Sequence, residues 1–116
     1  MPHIIIEYSN NLLPQINIKN VMDACHTSID GFHNITKGKI KTRAIKVDNF
    51  LVGTDGADGQ MIHITLKLMT GRSKEARQEL ANILYKVGQK YLPKTDFPKA
   101  ALTVEIVELD KETYIP

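Results

Sequence analysis

Three residues of this chain have side chains or backbone groups suited to acid-base chemistry on an anion: Pro2, Arg43 and Arg72. A small residue in second place normally permits removal of Met1, and Pro2 would then carry a free secondary amine. An amine is a usable general base when its pKa lies near the working pH. Arginine keeps its charge at that pH and holds a carboxylate in a planar fork of N–H donors. Together these groups favour proton transfer on a carboxylated molecule.

Composition limits what kind of protein could hold such a site. The chain has 116 residues, 42% hydrophobic and 24% charged, which indicates one globular domain over 1–116. A net charge of +2 is too small to favour nucleic acid as a partner. No apolar run approaches the roughly 18 to 20 residues that cross a bilayer, and the single cysteine, Cys25, is typical of a reducing compartment. We therefore expect a cytoplasmic protein with no membrane partner.

Hydrophobic periodicity predicts four strands and two helices that must position these residues. The strands are expected at His3–Ser9, within 40–51, at 61–69 and at 102–109, and the helices from about Asn17 to Ile29 and from Ser73, as N-cap, to Tyr91. Gly31 stands where the first helix would stop.

The order strand, helix, strand occurs twice, and the two copies align at one offset of 60 residues. His3 then aligns with His63, and Arg43 aligns with Thr103. The repeats span about 2–51 and 61–110. A strand joined through a helix to the next strand favours parallel pairing with a right-handed crossover. The predicted fold is therefore α+β, a duplicated β-α-β unit with a four-stranded sheet and both helices on one face.

The candidate residues are not duplicated between the two repeats. Pro2 aligns with Ile62, Arg72 with Leu12, and Arg43 with Thr103. Packing alone gives no reason for one proline and two arginines to lack counterparts of the same type in the other repeat, whereas a site assembled from both halves does. The predicted sheet is rich in apolar residues. We therefore expect its face without helices to be buried against further subunits.

With these features the chain resembles the tautomerase superfamily, and most closely the 5-carboxymethyl-2-hydroxymuconate isomerase family. The stretch IHITLKLMTGRSKEAR is similar to the opening of the short 4-oxalocrotonate tautomerase subunit, and MPHIIIEYSNNL and IKTRAIKVD are similar to the longer isomerase. The resemblance covers about residues 1 to 110. The carboxyl-terminal DKETYIP matches no part of that pattern, so a role of this tail in the site stays open.

The resemblance implies a fold, an activity and a site. Pro2 would be the general base that moves a double bond in a carboxylated dienol such as 5-carboxymethyl-2-hydroxymuconate. Arg43 and Arg72 would bind the substrate carboxylates and stabilise the dienolate. Burial and nearby arginine charges are expected to lower the pKa of the Pro2 amine. The family also implies a homotrimer, no cofactor or metal, and a place in aromatic-compound (homoprotocatechuate) catabolism.

Two other functions stay open from the sequence. The first is a tautomerase or promiscuous hydratase acting on another 2-oxo or 2-hydroxy acid. The second is a non-catalytic trimer that binds small acids or protein partners.

The other polar residues favour structural roles. His3 and His63 occupy matching repeat positions, which predicts a shared packing or hydrogen-bonding role. Cys25 lies on the apolar stripe of the first helix and is expected in the core. The lysine cluster Lys37, Lys39 and Lys41 is typical of a solvated strand end.

Overall fold

The structure, a computed structural model, describes residues 1–93 and 100–116. Its main elements, in chain order, are β1 (His3–Ser9), α1 (Ile18–Ser28), β2 (Lys41–Val47), β3 (Met61–Met69), α2 (Lys74–Tyr91) and β4 (Ala101–Leu109). The strands form one sheet in the order β2-β1-β3-β4. Pairing is parallel within each β-α-β unit and antiparallel between β1 and β3, where the units meet. The predicted α+β fold is confirmed.

Both helices begin at side-chain caps that the sequence contains. The Asn17 side chain accepts a hydrogen bond from the Asn20 N–H at 3.2 Å, which starts α1. The Ser73 hydroxyl accepts one from the Ala76 N–H at 3.1 Å, which starts α2 and confirms the predicted cap. Such caps satisfy N–H groups that the first helical turn leaves without a partner.

One hydrophobic core lies between the sheet and the helices. Alternate residues of β1 and β3, among them Ile4, Ile6 and Ile64, are fully buried there together with residues of both helices. Cys25 of α1 is part of this core, as expected, and burial raises the pKa of its thiol to about 12. A thiol with that pKa is protonated at neutral pH and is not a nucleophile.

The opposite sheet face, which we call the open face, is more polar than the sequence led us to expect. The register of the strands gives it these polar side chains: His3, Glu7, Lys41, Arg43, His63, Thr65, Lys67, Thr103 and Glu105. Apolar residues such as Ile5 and Ile45 lie between them. The expectation of an apolar open face is therefore wrong, because the isoleucines and leucines of β1 and β3 mostly point toward the helices.

The two halves are related by an approximate two-fold axis. The predicted offset of 60 residues holds between β1 and β3 but not between β2 and β4. Ile5 and its repeat partner Thr65 face each other across β1 and β3, so the axis passes between them. Arg43 pairs with Ile5, whereas Glu105 pairs with Thr65. The structural counterpart of Arg43 is therefore Glu105 rather than Thr103. The two-residue shift keeps every side chain on its face, since the period of a strand is two.

Two further expectations differ from the structure or fall outside it. The strand expected within 40–51 ends at Val47, and residues 48–51 form a bend without strand pairing. Most of LPKTDFP (92–98) lies outside the described residues.

Over 1–93 and 100–116, neither helix combines the length and hydropathy needed to cross a bilayer.

Candidate active site

Pro2 lies buried immediately before β1. Its carbonyl accepts a hydrogen bond from the Lys41 N–H at 3.0 Å, which joins the start of β1 to the start of β2. This bond fixes the backbone next to the residue that would become the amino terminus. Pro2 is thus held by the sheet itself, and strand-borne groups are more precisely placed than groups on loops.

Pro2 and Arg72 line one cavity of about 210 Å³. The other residues around it are Met1, Asn34, Ile35, Thr36, Lys39, Leu68 and Met69. The lining thus combines apolar side chains with two cationic ones, Lys39 and Arg72. This size and charge favour a small anion as the ligand.

Local backbone geometry aims Arg72 at the cavity. The residue follows β3 through Gly71, whose φ of 122° favours glycine, and comes directly before the Ser73 cap of α2. Its Nε donates a hydrogen bond to the His33 carbonyl oxygen at 2.9 Å, and Nη1 makes a long contact of 3.5 Å with the Met69 carbonyl oxygen. The guanidinium is therefore held mainly by one backbone oxygen.

The charge of Arg72 has no acidic partner within residues 1–93 and 100–116. The carbonyl contacts leave other N–H groups of its fork available for a ligand. A half-buried guanidinium whose charge is not neutralised attracts an anion. This arrangement suits the binding of a carboxylate.

The loop that carries His33 is shaped by left-handed backbone conformations. Gly31, His33 and Asn34 have φ angles of 84°, 49° and 63°. The side chain of His33 also contacts the Glu79 carboxylate, with 3.0 Å between Nε2 and Oε2, which ties the loop to α2. Left-handed non-glycine residues are uncommon and cost energy, so they are found where the surrounding structure holds them. Here they direct the His33 carbonyl to Arg72 and bring Asn34 to the cavity.

Lys39 is exposed, as predicted for the lysine cluster, but it also lines the cavity, which the sequence did not predict. It ends the short 3-10 turn Lys37–Lys39 before β2. The alternation of lysines there favoured a solvated strand end, because nothing in the spacing tells a lysine beside a cavity from one in solvent. Lys39 comes to the cavity together with the preceding loop, whose residues Asn34, Ile35 and Thr36 line it beside Pro2.

Arg43 does not line the cavity that contains Pro2 and Arg72. It is exposed on β2, and its pairing with Ile5 places it on the open face. Its Nη1 is 3.2 Å from Nδ1 of His3. The structure thus brings Pro2 and Arg72 together and leaves Arg43 on the surface of the open face.

A larger cavity, of about 590 Å³, lies between α2 and β4. Its described lining is mostly apolar, with Tyr85 and Gln89 as polar members, and contains none of the three predicted site residues. We regard the smaller cavity as the better candidate because Pro2 and two cationic side chains, Lys39 and Arg72, line it.

Known proteins provide an independent comparison. A sequence model of the 5-carboxymethyl-2-hydroxymuconate isomerase family matches residues 2–115. The 5-carboxymethyl-2-hydroxymuconate Delta-isomerase of Escherichia coli is 29% identical over 115 residues, covering 94% of this chain and 87% of that protein.

Two solved structures have the same fold. One is a 5-carboxymethyl-2-hydroxymuconate isomerase from Deinococcus radiodurans R1, with a TM-score of 0.87, 22% identity, and coverage of 99% of this chain and 87% of that one. The other is a fused 4-OT wild type protein described as a symmetric trimer, with a TM-score of 0.76, 12% identity, and coverage of 95% and 88%.

Proposed function

Because this chain belongs to the 5-carboxymethyl-2-hydroxymuconate isomerase family, we propose that it is a cofactor-independent isomerase that moves a double bond in a carboxylated dienol such as 5-carboxymethyl-2-hydroxymuconate. The observation that carries this proposal is the shared cavity of Pro2 and Arg72. Once Met1 is removed, Pro2 would place a secondary amine in the same cavity as a guanidinium, that is, a base together with an anion-binding group. Proton transfer on a carboxylate needs both.

In this mechanism Pro2, freed by removal of Met1, takes a proton from the dienol hydroxyl. The electron pair left on oxygen spreads over the conjugated carbons as a dienolate. Arg72 binds a substrate carboxylate and stabilises the negative charge that develops. The Pro2 ammonium then returns the proton to a carbon, which leaves the carbonyl and a shifted double bond. No atoms are gained or lost, so no oxidant or other co-reactant is needed.

Arg43 would serve the site of a neighbouring subunit. We place this chain in a homotrimer, in line with the symmetric-trimer relative, although the polar open face removes the argument from apolar burial. An exposed arginine on the open face is available to an adjacent subunit, whereas it does not line the Pro2 cavity of its own chain. Three cationic groups, Arg43, Arg72 and Lys39, would then match the three carboxylates of the substrate.

The test is an ultraviolet absorbance assay with 5-carboxymethyl-2-hydroxymuconate, using protein whose intact mass shows that Met1 is absent. We expect rapid loss of the dienol absorbance. The matched control carries one lysine inserted between Met1 and Pro2, which prevents processing and leaves the Pro2 nitrogen in an amide with no basicity. Equal rates for both proteins would contradict Pro2 as the base. Inactivity of the processed protein on this substrate, with activity on a 2-oxo or 2-hydroxy acid, would favour the broader tautomerase function.

We expect Lys39→Met to raise KM for the tricarboxylate by about tenfold, with little change in kcat, because a hydrogen bond to a charged group contributes about 1.5–3 kcal/mol. Steady-state kinetics measure the effect. The matched control is Lys37→Met, which removes the same charge from the same 3-10 turn but not from the cavity lining. Equal effects of the two substitutions would attribute the change to net surface charge rather than to a contact with the substrate.

A further inference from the structure

The side chain of Arg43 is part of a three-residue hydrogen-bonded chain on the open face. Its Nη1 lies 3.2 Å from Nδ1 of His3, and Nε2 of His3 lies 2.8 Å from the hydroxyl oxygen of Tyr114. The His3 and Tyr114 rings also meet edge to face, with 5.9 Å between their centroids. Arg43 is thereby connected to the carboxyl-terminal tail, 110–116.

The protonation state of His3 follows from its partners. A guanidinium only donates, so Nδ1 of His3 must accept from Arg43, and the single ring proton sits on Nε2 and is donated to Tyr114. The imidazole must therefore be neutral. Desolvation by burial lowers the pKa of His3 below 6.5, and the positive charges of Arg43, Lys41, the amino terminus and Lys67 lower it further. The electrostatics thus agree with the geometry.

A tight turn brings the tail to this position. After β4 ends, the Glu112 N–H donates to the Asp110 side chain at 2.9 Å, and the Tyr114 N–H donates to the Asp110 carbonyl at 2.8 Å. The chain reverses there, so Tyr114 returns to the side of β1. Tyr114 is half-buried, whereas its neighbour Ile115 is exposed. The contact with His3 is therefore the point at which the tail is fixed to the sheet.

The second half of the molecule provides an internal comparison. His63, the repeat partner of His3, contacts Glu105, the structural counterpart of Arg43, with 2.9 Å between Nε2 and Oε1. It also contacts the Thr103 hydroxyl at 2.6 Å through Nδ1. The same pair of positions thus holds a carboxylate in one half and a guanidinium in the other. The sequence predicted a shared role for the two histidines; the structure gives them the same place but opposite partners.

We propose that His3 and Tyr114 are positioning residues that hold the Arg43 guanidinium for a substrate carboxylate, and that the tail thereby belongs to the substrate-binding apparatus. This inference rests on the proposed function. A long exposed arginine loses side-chain entropy when it binds an anion. The neutral imidazole of His3, itself oriented by Tyr114, holds the guanidinium in place before the substrate binds and so reduces that loss. It leaves the positive charge free for the substrate, whereas a carboxylate partner would neutralise it.

The test is a set of double-mutant cycles in the assay described above. We expect His3→Ala and Tyr114→Phe each to raise KM by about five- to tenfold with kcat nearly unchanged, and neither to change KM further in an Arg43→Ala background. Because asparagine keeps an acceptor close to the place of Nδ1, His3→Asn is expected to recover part of the loss. Additive effects in the Arg43→Ala background would overturn the proposal.

The matched control is His63→Ala, which removes the repeat partner of His3 but not a contact with Arg43. We expect this variant to keep the KM of the unaltered protein. A KM increase equal to that of His3→Ala would overturn the positioning role, because it would attribute the effect to the open face in general. Sedimentation analysis of all variants checks that their assembly is the same.

A spectroscopic measurement separates failure of this inference from failure of the proposed function. Nitrogen NMR of the imidazole in substrate-free protein at neutral pH should show His3 protonated at Nε2 and unprotonated at Nδ1. In Tyr114→Phe or Arg43→Ala its nitrogen shifts should change. A His3 protonated at Nδ1 would overturn the inference even in an active enzyme. An inactive protein with the expected His3 signals would instead reject the isomerase and, with it, the role of these residues toward a substrate.

Discussion

Replacing Pro2 with alanine is expected to lower kcat on the carboxylated dienol by about 10²-fold, toward the lower end of what a positioned general base contributes. Alanine in second place still permits removal of Met1, so the variant keeps an amino-terminal amine. That amine is primary and lacks the ring that prevents rotation about the N–Cα bond in proline. It is therefore less well aligned with the substrate carbon. KM is expected to change little, because the cationic lining of the cavity remains.

The pH profile makes this prediction more specific. A base must be unprotonated to act, so kcat/KM of the processed protein should rise with pH until the Pro2 amine has lost its proton, and then level off. The Pro2→Ala variant should reach its plateau at a different pH. The form with a lysine inserted before Pro2 should not show this rise of kcat/KM with pH, because its Pro2 nitrogen is in an amide. An unchanged profile in Pro2→Ala would indicate that another group is the base.

Much of the architecture around Pro2 is predictable from local signals. Helix starts are encoded in single side chains, Asn17 and Ser73, whose caps are present in the structure. β1 and β3 were predicted at their observed bounds, because runs rich in isoleucine and leucine favour strands. The repeat predicted the parallel pairs. These features depend on a few residues each, and the sequence contains all of them.

Other features depend on partners distant in sequence and could not be predicted in this way. Residues 48–51 contain the strand-favouring Phe50, but β1 offers paired backbone only as far as Ser9, which pairs with Val47. The two-residue shift that makes Glu105 the counterpart of Arg43 leaves the alternation unchanged, so no pattern reports it. The polar character of the open face does not follow from the composition of whole strands, because the apolar residues of β1 and β3 lie mostly on the face toward the helices.

The candidate site likewise contains some residues that local sequence predicts and others that depend on contacts distant in sequence. Pro2 and Arg72 were selected from their unduplicated chemistry, and the structure places both around one cavity. The place of Lys39 in the cavity lining was not predicted, because periodicity does not encode how the loop before β2 lies against the residues around Pro2. Tyr114 lies in a tail without any recognisable pattern. Its contact with His3 follows from a turn at Asp110 that brings together residues 111 positions apart.

Replacing Arg72 is expected to have the other large effect. We expect Arg72→Ala to lower kcat/KM by about 10³-fold, equivalent to about 4 kcal/mol of transition-state stabilisation, because the residue would bind a carboxylate and the developing dienolate charge. Arg72→Lys should recover only a small part. Lysine keeps the charge but has no planar fork, so it cannot bond to the His33 carbonyl and hold a carboxylate in two-point fashion at the same time.

The matched control for Arg72 is Arg77→Ala in the first turns of α2. Arg77 carries the same charge close to Arg72 in sequence, but its Nη1 lies 3.4 Å from Glu108 on β4, and the residue does not line the cavity. We expect its kcat/KM to stay within about twofold of the unaltered protein, as is usual for substitutions outside a site. A similar loss in both variants would attribute the effect of Arg72→Ala to the loss of a positive charge near the start of α2 rather than to the site.

A structural effect of Arg72→Ala must be separated from the chemical one, since the substitution also removes the hydrogen bond to the His33 carbonyl. The loop keeps two other attachments: the contact of His33 with Glu79, and the bond from the Lys37 N–H to the Asp30 side chain at 2.9 Å. We therefore expect the free energy of unfolding to fall by only about 1 kcal/mol, the net value of one hydrogen bond. Denaturant titration measures this change. A loss of stability several times larger would mean that Arg72 holds the loop rather than the substrate.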